Sequence, residues 1–146
     1  MPELIRREIP GLLLRVVPES RHIIENAAGV PADQAVSGGM EWFDLYDFLS
    51  DFFRGLLRPA LLEKERDDDL VARSFDFVET VLRSSNESVS GAGYFQFVEP
   101  LFGGEDLLVA AIPAMREETL RLTLSELDTE RLSSGARAAL VEYLTY

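Results

Sequence analysis

The sequence predicts an all-α fold: six to eight short helices stacked as antiparallel helical hairpins, in a HEAT-like layout or an irregular bundle. Three observations predict it. Apolar residues recur at helical spacing along most of the chain. Helix-capping and helix-stopping residues fall at short intervals. Period-two alternation is nearly absent, and the one short case, Leu120–Leu124, sits in helical context. At 146 residues the chain reads as a single domain, residues 1–146, large enough to bury a core without disulfides or metal.

Residues 3–17 have helical character, divided by Pro10-Gly11 into two short pieces. Pro18 suits the first position of a helix over Glu19–Ala28, and Gly29 suits the left-handed position just past its end. Val30–Gly39, with Pro31, Ser37 and Gly38-Gly39, reads as a loop with one turn near Asp33–Val36.

The richest stretch follows, Met40–Leu57, with six aromatic residues and four acids. At about 100° per residue, Trp42, Leu45, Tyr46, Leu49, Phe52, Phe53, Leu56 and Leu57 share one arc. Glu41, Asp44, Asp47 and Asp51 gather opposite it. Pro59 ends or kinks this helix, and Ala60–Glu65 continue as a short one.

Asp67-Asp68-Asp69 caps the next helix, Leu70–Arg83. Its apolar half carries Leu70, Val71, Phe75, Phe77, Val78, Val81 and Leu82; its polar half carries Arg73, Asp76, Glu79, Thr80 and Arg83. Ser85-Asn86 ends it and caps Glu87–Glu99, whose apolar residues spread almost all round. That pattern predicts the central, most buried helix, with Gly91 and Gly93 admitting close neighbours. Pro100 and Gly103-Gly104 end it. Glu105–Ile112, Ala114–Leu124 and a last helix from Ser133 or Ser134 to Leu144 complete the chain.

The net charge of −12 opposes binding to phosphate backbones or anionic lipid, and it speeds encounter with a basic partner. With no cysteine there is no disulfide, thiolate metal site or thiol nucleophile. The opening segment, MPELIRREIPGLLL, lacks the form of a secretory leader, and no run approaches the about 18 apolar residues of a membrane span. The chain reads as a cytoplasmic protein.

No constellation in the sequence spells out a reaction. His22 stands alone, without assignable partners for general-base or metal chemistry, and reads as a partly buried structural residue. There is no nucleophile elbow, and the paired glycines lack the lysine of a phosphate loop. Asp67-Asp68-Asp69 has the position of a helix start and lacks the spacing of a calcium loop. Glu41, Asp44, Asp47 and Asp51, at i, i+3 and i+4 spacings, are the candidate partner-binding residues. No catalytic, cofactor-binding or metal-binding residue is assigned.

Within Val71–Leu101, Phe77-Val78-Glu79 is followed by a polar turn at Ser84-Ser85-Asn86. A helix start, Glu87-Ser88-Val89, comes next, and then Phe97-Val98-Glu99. These segments, with the aromatic helix before them, resemble a family of small bacterial all-helical domains that includes candidate toxin-immunity proteins. The resemblance runs over about Met40–Leu124. It implies a non-enzymatic protein that neutralises a cognate toxin by covering its active site, and it implies no catalytic residue. The leading reading is therefore an immunity-type protein whose acidic helical face meets a basic toxin domain. The alternative is a helical scaffold or adaptor that takes a peptide or partner helix in an apolar groove near Phe43 and Phe48. A third reading, an enzyme working through its acids with or without a metal, has no pattern to support it.

Overall fold

A computed structural model describes residues 3–38, 40 and 43–144; every regular element among them is helical. Among the described residues there are more helices than the six to eight the sequence predicts. Two local effects account for the difference. Ala32–Gly38, which reads as a loop, is helical, its start held by the Glu25 carboxylate, which accepts from the Ala32 N–H at 2.9 Å. The C-terminal helix breaks at Leu140 into Ser134–Ala139 and Val141–Leu144.

The caps fall where the sequence puts them. Asp67 accepts from the Leu70 N–H at 3.0 Å and Asn86 from the Ser88 N–H at 3.0 Å. Gly29 adopts φ 74° and donates its N–H to the Glu25 carbonyl. Pro10 does not divide its helix. It occupies the first turn of Ile9–Val16, where an N–H has no helical acceptor, and so it starts the helix.

Two long rods, residues 45–62 and 87–103, each carry a proline inside a continuous helical path. Proline has no N–H to donate, and its ring crowds the carbonyl four residues back. Here the chain absorbs both effects by widening one turn. Phe53–Leu57 and Tyr94–Val98 are π-helical, and the residue before each proline donates five residues back: Arg58 N–H to the Phe53 carbonyl, Glu99 N–H to the Tyr94 carbonyl. The end or kink predicted at Pro59 is therefore a widened turn, and the helix runs on to Leu62.

The core centres where these rods meet the Asp68–Leu82 helix. Phe52, Phe77 and Phe97, one from each, stand edge to face with ring centroids 5.1, 5.9 and 6.1 Å apart. Each such pair is worth about 0.5–1.5 kcal/mol beyond the area it buries. The surrounding buried apolar residues form one contiguous cluster from Ile9 to Leu140. The rod at 87–103 is less central than its composition implies, since Phe95 stands exposed on its outer side.

Glu79 does not join the solvent face. Its side chain is 13% exposed and accepts four hydrogen bonds. They come from Arg83 Nε at 2.6 Å, the Glu118 and Thr119 N–H groups at 2.9 Å each, and the Thr119 hydroxyl at 2.7 Å. The Glu117–Glu126 helix begins after Arg116, which has no capping side chain, so a carboxylate from another helix serves as its cap. Burial pushes the Glu79 carboxyl up, but Arg83, the two N–H groups and the Thr119 hydroxyl outweigh it and hold it below its ordinary value. Glu19 behaves alike: the Arg73 guanidinium, bonded to it at 2.8 and 2.7 Å, brings its carboxyl down to about 2.

Two stability predictions follow from these contacts. A carboxyl held below its ordinary value stabilises the fold fully above that value and loses its contribution as pH falls through the folded one. Glu79→Gln is expected to cost about 2 kcal/mol at neutral pH by stranding buried donors, a drop in melting midpoint of about 4–8 °C. Its stability should also fall less steeply than the parent's as pH drops below 4.5. Urea unfolding across that pH range checks both. The glycine pair gives the second prediction. A Cβ at Gly93 would stand 2.8 Å from Val81 Cγ1, inside the core, whereas one at Gly91 meets nothing within 4 Å. Gly91→Ala should stabilise by up to about 1 kcal/mol through helix propensity, and Gly93→Ala should destabilise by about 1–2 kcal/mol through overpacking. Thermal melts of the two variants separate them.

Candidate docking surface

The acid stripe takes a different form from the one its helical spacing implies. The helix starts at Leu45, so Asp44 lies in extended backbone before it and caps it, accepting from the Asp47 N–H at 3.2 Å. Its carboxylate is thus tied to its own chain. Asp51 pairs with Arg54 at 3.4 Å, with both side chains more than half exposed. An ion pair in that setting is worth about 0–1 kcal/mol. Asp47 is exposed, and no hydrogen bond or ion pair holds its carboxylate among the described residues. Glu41 lies outside the described residues. The structure thus leaves Asp47 and Asp51 on one outward face, one helical turn apart.

Beside them stands a feature that the helical arc misassigns. Tyr46, placed by its spacing among the core residues, is 45% exposed and stacks on Phe95, itself 48% exposed. The rings lie 6.4 Å apart at an interplanar angle of 27°. Tyr94 meets the outer side of Phe95 edge to face at 5.5 Å. Burial, and after it the nearby Glu126 carboxylate, pushes the Tyr94 phenol up. Two rods therefore contribute to one surface, an aromatic pair bridging them; Asp47 follows Tyr46 on the same helix, and Asp51, one turn on, lines the shallow cleft beside His22 and Asn26. Tyr46 could have been flagged from sequence by its place between the capping Asp44 and Asp47. Nothing in the sequence brings Phe95 to it.

The aromatics expected to open an apolar groove are occupied. Phe48 is 2% exposed, and Phe43 packs against it at 5.3 Å with the Arg6 guanidinium 5.5 Å above its ring. The apolar groove lies elsewhere, about 530 Å³ between the Glu117–Glu126 helix and the last helix, walled by Leu120, Leu124, Leu127, Tyr143 and Leu144. His22 is exposed, at the edge of a shallow cleft with Asn26 and Asp51.

The acids of the Asp67–Asp69 run are held by local structure. Asp67 caps its helix, Asp68 pairs with Arg66 at 3.0 Å, and Asp69 pairs with Arg73 at 2.8 Å. Among the described residues, no three His, Asp or Glu side chains converge as a metal site. None of their helices is long and apolar enough to cross a membrane. Compared with protein-family models, curated proteins and solved structures, the chain matches none.

Proposed function

We propose that the chain is a non-enzymatic protein-binding domain. In this reading the Tyr46–Phe95 pair docks a protein partner, and Asp47 and Asp51, exposed on the same helix as Tyr46, meet its basic surface. The exposed aromatic stack carries the proposal. Aromatic rings are the side chains that most often dominate binding energy, and a pair already stacked loses little freedom on docking. The two acids supply orientation and speed, because charge complementarity acts chiefly on the association rate. An immunity-type protein of the bacterial cytoplasm, covering the substrate site of a toxin, is the specific form we favour. A nuclease toxin carries a basic substrate surface, and this chain has a net charge of −12 with which to meet it. A stack of helical hairpins would hold two neighbouring rods rigidly enough to present such a face.

The test uses the product of the neighbouring reading frame as partner. Association measured at low salt should be fast and should slow as salt is added. Asp47→Lys with Asp51→Lys should cut the association rate by about tenfold. Tyr46→Ala with Phe95→Ala should raise the dissociation rate, costing about 2 kcal/mol or more. Unchanged rates in both variants would remove this face from the function.

A second reading has its own observation, the groove formed by Leu120, Leu124, Leu127, Tyr143 and Leu144. An adaptor gripping an amphipathic helix there would bind with little salt dependence. It would lose binding in Leu124→Glu while tolerating the lysine reversals.

A further inference from the structure

Beyond the Tyr46–Phe95 pair, the seam between the two rods opens into a cleft of about 250 Å³. Ser50, Arg54 and Arg58 wall it from one rod and Gln96 from the other, with Gly103 and Gly104 at its end. Its apolar lining comes from Phe53, Leu62, Pro100 and Leu107. The cleft falls below the range of about 300–1,000 Å³ typical of drug-sized ligands, which limits an occupant to a small molecule. The two widened turns shape it, since Phe53 and Arg54 lie in one and Gln96 in the other.

Charge decides the class of ligand. The chain has 26 acidic residues against 14 basic ones, and most of its arginines are engaged internally. Arg73 holds Glu19 and Asp69, Arg83 holds Glu79, and Arg116 holds Asp76. The Arg58 guanidinium makes no hydrogen bond or ion pair among the described residues, and that of Arg54 has only the exposed Asp51 at 3.4 Å. One carboxylate, Asp106, also lines the cleft. Its Oδ1 is turned back to accept the Leu107 N–H at 3.0 Å. Gly104 makes room for that turn: a Cβ there would stand 2.7 Å from the same oxygen. Two guanidiniums thus face one carboxylate that is already hydrogen-bonded to its own backbone.

We infer that this cleft binds a small organic anion. Arg58 and Arg54 hold a single carboxylate or phosphate group, Ser50 and Gln96 donate hydrogen bonds to it, and a short apolar body lies against Phe53, Leu62 and Pro100. The planar guanidinium fork matches the paired oxygens of either group. The net charge of the protein does not prevent this, because at physiological salt its field is screened within about 8 Å. The site goes beyond the docking reading, and neither depends on the other.

The experiment is a ¹⁵N NMR titration of the whole chain with butyl phosphate and with butyrate, using butanol as the neutral control. The expected result is saturable shifts at the Gly103 and Gly104 amides and the Arg58 Nε–H with at least one anion, and none with butanol. The two anion arms identify which group the site takes. Arg58→Gln should weaken binding by about tenfold or more, the loss expected for a charge-assisted pair. Arg58→Lys should fall between it and the parent, and Arg131→Gln, a surface change elsewhere, should bind as the parent does. The Arg58 guanidinium has no internal partner among the described residues, so its variants should melt as the parent does. Shifts that do not saturate, an equal response to butanol, or unchanged affinity in Arg58→Gln would each overturn the assignment.

Discussion

A proline inside a helix cannot donate, and the rest of this structure is arranged around two such positions. Pro59 and Pro100 could each have ended a rod; both rods continue because one turn widens to let the preceding N–H reach five residues back. Widened turns of this kind recur at functional sites because they displace side chains from the regular helical register. In this chain the displacement occurs in two neighbouring rods. It leaves Phe52 and Phe97 meeting in the core and leaves the outer seam between the rods incompletely filled. The core and the seam thus share one cause.

Electrostatics is handled largely within the fold. A chain with a net charge of −12 would repel itself if its acids were all left to solvent. Many instead bind backbone N–H groups at helix starts or arginines on neighbouring helices. Glu79 does both, joining the Asp68–Leu82 helix to the start of Glu117–Glu126. Glu105 does similar work for the C-terminal part, accepting from the Ser133 N–H at 3.0 Å and its hydroxyl at 2.7 Å. The surface that remains for a partner is smaller than the composition implies, and it is defined by which acids are left over.

Local chemistry was readable from the sequence. Asp67, Asn86 and Gly29 act as their residue types require, and the helical period of Asp68–Leu82 matches its buried face. What could not be read was non-local. Arc arithmetic places Tyr46 inward because it counts only spacing along one helix. Its exposure depends on where the Leu45 start sets the first turn and on Phe95 from another rod. Glu79 looks like a solvent residue until the uncapped start at Arg116 is set beside it. Pro59 reads as a stop, because whether a helix breaks or widens at proline is decided by the packing on either side. The cleft between the rods has no sequence signature, since its residues come from positions as far apart as Ser50 and Asp106.

Ser84 ties the N-terminal segment to the end of the Asp68–Leu82 helix. Its single hydroxyl donates to the Leu4 carbonyl at 3.0 Å and accepts from the Leu4 N–H and the Asn86 N–H, each at 3.1 Å, using its full bonding capacity. The loop it closes takes in the Ile9–Val16 helix, the rod at 45–62 with Pro59, and the whole of the Asp68–Leu82 helix. The entropy of closing a loop grows only slowly with its length, so three hydrogen bonds on one buried hydroxyl can hold the N-terminal segment to a position eighty residues on.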